Sequence, residues 1–183
     1  QITTAKGVVF GRLAAPQRRF ESFLMEAVYR QLGVAPLGRI KAPGVLEGGD
    51  FIPAGYDLAF IGVGQRTNFA AVRQLLREDL FGTKRVVVVE NVRDDSSSTT
   101  HLDTIFSLID RKICICLDRV AQDDSRFMRI AHEYVRKGPV YIEEAQMPFG
   151  KWLRNEGFTV VMATLEQRDE RFISNLHLGR DAN

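Results

Sequence analysis

The chain has 183 residues, with 25 Lys and Arg against 23 Asp and Glu for a formal net charge of +2, and is 45% hydrophobic and 26% charged. That balance excludes a disordered, collagenous or disulfide-dense chain; at this length roughly 70% of the unfolded surface can be buried, so no metal or disulfide staple is needed. No basic block marks a nucleic-acid ligand, no apolar run reaches the ~18 residues of a membrane span, and nothing at the start reads as a signal peptide.

Strand-like and helix-like segments alternate along the chain. Val8-Val9-Phe10 is a short β run, and Pro16 opens a helical stretch in which Phe20, Phe23, Leu24, Ala27, Val28 and Leu32 recur at three- to four-residue spacing, closed by Gly33. A Pro/Gly-rich loop surrounds Arg39-Ile40-Lys41. Two β runs follow, Val45 to Ile52 and Leu58 to Val63, then a helix starting near Thr67 or Asn68. Val86 to Val89 is apolar on both faces, as in a covered sheet. After a polar loop over 93–100, strands are expected at Thr104 to Leu108 and Ile113 to Leu117, a helix over Asp124 to Tyr134, and a strand at Val140-Tyr141-Ile142. A helix over Pro148 to Asn155 and a strand over Phe158 to Met162 complete the series. The recurring order is β-β-α-β, unlike the βαβαβ of doubly wound sheets. No linker divides the chain, so residues 1–183 read as one α/β domain.

Three segments hold residues suited to chemistry. Glu47-Gly48-Gly49-Asp50 sets two acids around a glycine pair in a strand-like run, which reads as an acidic turn or as a place of close approach by a ligand or backbone. Gly62-Val63-Gly64-Gln65-Arg66-Thr67-Asn68 joins a strand to a helix, the setting of a phosphate cradle, yet it lacks the third glycine of a dinucleotide fingerprint and the Lys-Ser/Thr of a P-loop. Arg66 there suits a carboxylate ligand or a solvated surface. His101-Leu102-Asp103 pairs a general acid/base with a carboxylate two residues on, facing one side of an expected strand. His132, in the expected helix, and His177 stand in other surroundings, so no metal set forms. The only cysteines, Cys114 and Cys116, share one strand face, neither reads as a nucleophile, and a reducing, cytoplasmic compartment is expected.

Taken in this order, LEGGDF (Leu46 to Phe51), GVGQRTN (Gly62 to Asn68) and HLDTIFS (His101 to Ser107), with PQRRFE at Pro16 to Glu21, resemble the arginine deiminase family of guanidine-modifying enzymes. The resemblance is strongest over Gly7 to Ile109. It implies a pentein α/β propeller, here about three of five ββαβ modules, and hydrolysis of L-arginine to L-citrulline and ammonia through an amidino-cysteine intermediate. On that likeness His101 is the acid/base, Glu47 its partner and Asp103 the guanidinium ligand, while Arg18 and Arg66 take the α-carboxylate and Asp50 supports them. No cofactor or metal is implied, nor a nucleic-acid or membrane partner, and a homo-oligomer is expected.

The departures are as informative. The family's nucleophilic cysteine lies in a glycine-rich segment ending HC, and its second guanidinium-binding aspartate in an FxRD segment; neither occurs here. The expectation is an internal fragment, inactive alone. A non-catalytic guanidine-binding or interaction module is the alternative. Dimethylarginine dimethylaminohydrolases, which usually have Lys in place of Asp103, and amidinotransferases are weaker competitors.

Overall fold

The computed structural model describes residues 1–94 and 99–167. Three sheets are each laid down in the same order: an antiparallel hairpin, a helix, and a strand returning parallel to the hairpin's second strand. In the first, β1 (Ile2–Thr4) pairs with β2 (Gly7–Phe10), α1 (Phe20–Gln31) crosses over, and β3 (Gly38–Arg39) lies beside β2 with Val9 opposite Gly38. In the second, β4 (Phe51–Pro53) pairs with β5 (Leu58–Val63), α2 (Phe69–Arg77) follows, and β6 (Arg85–Asn91) returns parallel to β5 with Ile61 opposite Val88.

The third sheet begins with the hairpin of β7 (Phe106–Asp110) and β8 (Ile113–Leu117) and ends with β11 (Thr159–Ala163), parallel to β8. Its crossover is long, running through α3 (Asp118–Ala121), the hairpin of β9 (Arg129–Lys137) and β10 (Val140–Pro148), and α4 (Phe149–Asn155). That hairpin leaves its own sheet. β9 pairs antiparallel with β6, and the middle sheet becomes five-stranded in the order β10-β9-β6-β5-β4.

The middle sheet is covered on both faces, and strict alternation in β5 and β6 divides its side chains. Phe60, Val87 and Val89 enter one core with Phe106, Cys116, Phe149, Trp152 and Phe158; Ile61, Val86 and Val88 enter the other with Val9, Val72, Leu75 and Phe81. This is the physical content of the four-valine run. α2 begins where expected: the Asn68 Oδ1 accepts the Ala71 N–H at 3.0 Å, an N-cap, and Ala71, Val72, Leu75 and Leu76 are buried. α1 differs. Its buried position is Ser22, whose hydroxyl donates to the Gly11 carbonyl, while Phe20, Phe23, Leu24 and Leu32 are each at least 60% exposed. Among the described residues no helix is long and apolar enough to cross a membrane.

The structure corrects four expected elements. Asp124 to Tyr134 is not a helix: β9 starts at Arg129, because pairing with the valine-rich β6 outweighs the weak helical preference of Ala131, His132 and Glu133. His132 therefore sits in a strand, its ring nitrogens 2.9 Å from Glu90 and Glu143. Val45 to Ile52 is not a continuous strand but a loop and a 3-10 turn (Gly48–Asp50) leading into β4. Thr104 to Leu108 is likewise a 3-10 turn (Leu102–Thr104) followed by β7. The strand at Val140 continues to Pro148. His177 and residues 95–98 of the polar loop lie outside the described residues.

Phe60 is fully buried with four aromatic rings at 5.0–6.3 Å, those of Phe106, Phe149, Trp152 and Phe158. Phe60→Ala is expected to destabilise the fold by about 3–5 kcal/mol, read from urea unfolding followed by circular dichroism.

Candidate active site

Each of the three segments enters the site from a different element, and Asp50 joins them. Asp50 ends the 3-10 turn before β4 and is 3% exposed. Its Oδ1 accepts the Leu102 N–H at 2.9 Å, and its Oδ2 accepts the Thr67 hydroxyl at 2.6 Å. Thr67, fully buried, in turn accepts the Glu47 N–H at 3.1 Å. Asn68 completes the clamp, accepting the Val45 N–H and donating to the Pro43 carbonyl, both at 3.1 Å. The acidic loop, the β5–α2 connection and the histidine turn are thus fixed through one carboxylate and one hydroxyl.

Two glycines let the segments meet. A Cβ on Gly62 would sit 2.7 Å from the Asp50 Oδ1 and 3.0 Å from the Leu102 Cβ, so the first glycine of Gly62-Val63-Gly64 makes room for Asp50, not for a phosphate. The helix start beyond it is occupied by the Asn68 cap. A Cβ on Gly49 would meet the Asp103 Oδ2 at 2.8 Å and the His101 Cγ at 3.0 Å. Glycine in the acidic turn is therefore a condition for His101 and Asp103 to lie against it.

Glu47, 6% exposed, is the electrostatic centre. Its Oε2 lies 3.1 Å from the His101 Nε2, and its Oε1 accepts the Ala14 N–H at 3.1 Å. The guanidinium of Arg18 stands 3.7 Å from Oε2 and that of Arg66 stands 3.6 Å from Oε1. Because a carboxylate only accepts, the His101 Nε2 carries the hydrogen toward Glu47, and the other ring nitrogen, Nδ1, faces the Thr100 hydroxyl at 3.5 Å. Glu47, His101, Arg18, Glu21, Gly48 and Gly49 are among the lining of a cavity of about 350 Å³. Asp103 is exposed beside them.

All six residues singled out from the sequence, Glu47, Asp50, His101, Asp103, Arg18 and Arg66, converge on this region. His101 and Asp103 do so from either side of the start of a 3-10 turn, not along a strand face. Arg18 is not free: its Nε and Nη2 donate to the two carboxylate oxygens of Glu21 at 2.8 and 2.9 Å. Sequence reasoning gave no role to Thr67, Gly49 or Glu21. All three lay inside quoted motifs, but the roles of Thr67 and Gly49 are contacts between segments, which spacing does not reveal.

The cysteines stand apart. Both are buried in β8, and burial pushes the thiols up, Cys114 to about 11 and Cys116 to about 12, so neither is a thiolate at neutral pH.

Known proteins resemble the chain in sequence and in fold. A family model described as arginine deiminase matches residues 1–174. The arginine deiminase of Halobacterium salinarum is 26% identical over 151 residues, covering 64% of this chain and 31% of that protein. The apo structure of ArgZ, a cyanobacterial arginine dihydrolase, matches with a TM-score of 0.55 at 15% identity, covering 91% of this chain and 28% of that one. The Pseudomonas aeruginosa DDAH C249S mutant complexed with citrulline matches with a TM-score of 0.50 at 20% identity, covering 88% and 65% respectively. These structural likenesses establish the fold, and the chain spans about a third of the length of the curated relative.

Burial raises the Asp50 carboxyl to about 6, above its ordinary 3.8, despite the two hydrogen bonds that favour its charged form. The folded state thus holds this proton more tightly than the unfolded one. The resulting stabilisation is present below pH 3.8 and lost as pH rises through about 6. The stability of wild type relative to Asp50→Asn is expected to fall by roughly 2–3 kcal/mol between pH 4 and pH 7, measured by paired urea titrations.

Proposed function

The chain belongs to the arginine deiminase family, and on that premise we propose that it carries the carboxylate–histidine side of a site that hydrolyses the guanidine of L-arginine to L-citrulline and ammonia. The observation that supports this most is the Glu47–His101 contact at 3.1 Å in the cavity, with Asp103 packed against Gly49 beside it. A planar guanidinium needs an exposed carboxylate to hold two of its nitrogens by charge-assisted hydrogen bonds, and in this reading Asp103 takes that role. Arg18 and Arg66 receive the α-carboxylate, while Asp50 and Thr67 hold the three segments in register.

A thiolate adds to the guanidinium carbon, and the C–N bond to one terminal nitrogen breaks as His101 gives it a proton, releasing ammonia and leaving an amidino-cysteine. Water then adds to that carbon while His101 takes its proton, and the C–S bond breaks to give citrulline and the thiolate. With Nε2 held by Glu47, Nδ1 is the His101 atom that gives and takes the proton. No cofactor enters. The thiolate is neither Cys114 nor Cys116, so the 183 residues do not complete the cycle by themselves. The nucleophile belongs to other sequence, in keeping with a curated relative of which the match covers only 31%.

In the same reading the three ββαβ sheets are three of the five modules of a pentein propeller. The exposed apolar face of α1 and the edge strands of the sheets support association, including self-association, and the compartment is the cytoplasm. The buried, unactivated cysteines also favour one other reading, a guanidine-binding module without catalysis.

Titration calorimetry tests the ligand. L-Arginine is expected to bind the chain, and Asp103→Asn to weaken it roughly tenfold or more; binding that ignores this substitution overturns the assignment of Asp103. A colorimetric citrulline assay separately tests the missing nucleophile. The chain alone is expected to release no citrulline from L-arginine, and turnover would sink that part of the proposal.

A further inference from the structure

The cavity holds a contact that its chemistry does not use. The Arg18 guanidinium presents its Nε–Nη2 edge to Glu21 in a two-point pairing at 2.8 and 2.9 Å. This is the geometry in which a guanidinium binds any carboxylate. The guanidinium's remaining amino group, Nη1, points at the Glu47 Oε2 across 3.7 Å, so a ligand carboxylate approaching from that end meets the charge of Glu47. The one edge of Arg18 that suits a ligand carboxylate is therefore the edge that Glu21 covers. Both side chains line the same cavity as Glu47 and His101.

We propose that Glu21 is an internal competitor for the α-carboxylate of an amino-acid ligand, holding Arg18 until the ligand displaces it and so setting affinity for carboxylate-bearing guanidines. The proposal rests on the reading of the cavity as an arginine site. Exposure makes the exchange feasible: the side chains of Arg18 and Glu21 are 45% and 40% exposed, and such ion pairs are weakly held. Arg18 draws the Glu21 carboxyl below its ordinary range and is itself held further into its charged form, so the pair stays ionised at neutral pH and the competition is between two carboxylates. Glu21 also lies in the first turn of α1, where an acid favours the helix dipole. That role affects stability alone and does not distinguish one ligand from another.

The discriminating experiment compares L-arginine with agmatine, the same guanidine without the carboxylate, by titration calorimetry on the full 183-residue chain and its Glu21→Gln variant. L-Arginine is expected to bind the variant roughly fivefold more tightly than wild type, with agmatine unchanged or slightly weaker. Adding Arg18→Gln to the variant is expected to abolish the gain. Equal L-arginine affinity in wild type and variant overturns the inference alone. Weaker L-arginine binding to the variant also overturns it, and assigns Glu21 to the ligand's ammonium instead. Silence of both proteins toward L-arginine overturns the site assignment itself, and the inference with it.

Discussion

The Asp50 carboxylate is the interaction on which the site depends. It lies where three loops from different parts of the chain must agree on position, and it bonds two of them while belonging to the third. A hydrophobic contact could hold the loops together but would not set their register, since apolar contacts are non-directional. Two directed hydrogen bonds to a buried acid do set it, at a cost. The carboxyl is pushed up to about 6, so part of the fold's stability is given up to keep an anion in place. The neighbouring glycines belong to the same constraint, because a side chain at Gly62 would collide with the carboxylate and one at Gly49 with the residues it positions.

The frame behind the loops gets its stiffness from the covered middle sheet. β5 and β6 bury both faces, so a shift of one residue in their register would exchange the contents of two cores. The β9–β10 hairpin then ties the third unit to the second. Arg85 on β6 donates its Nε to Glu133 on β9 at 2.5 Å, and its two terminal nitrogens to Glu156, just beyond α4, at 2.9 and 2.7 Å. The Trp152 indole N–H donates to the other oxygen of Glu133 at 2.9 Å. One strand, one hairpin and one helix thus meet in a single network. It stabilises the platform from which Gly62 and Leu102 project.

Elements with a strong local signal were legible in the sequence. The four valines of β6, the alternation in β8 and the Asn68 cap of α2 are local patterns, and the structure has them where expected. β9 was not legible because its strand character comes from β6, some forty residues earlier, while its own Ala131-His132-Glu133 leans weakly toward helix. The identity of the site residues could be read from motif types and their order, while their mode of assembly could not. Glu47, His101 and Asp103 were marked, yet the turn that brings them together depends on a backbone N–H at Leu102 and a hydroxyl at Thr67. Those groups carry no pattern in one dimension.

Glu47 shows what that assembly achieves before any ligand is present. A carboxylate with 6% exposure would ordinarily be costly to keep charged. Here one backbone N–H, one imidazole and two guanidinium groups surround it within 3.7 Å. The geometry of the backbone donor fixes which oxygen is left for His101. Since Ala14 holds Oε1, Oε2 is directed at the Nε2 of the ring, and the tautomer follows without help from substrate. Orientation of the acid–base pair is therefore a property of the folded chain. A guanidinium ligand arriving at Asp103 would meet a histidine already aligned, while Arg18, held by an exposed glutamate, remains the adjustable group of the cavity.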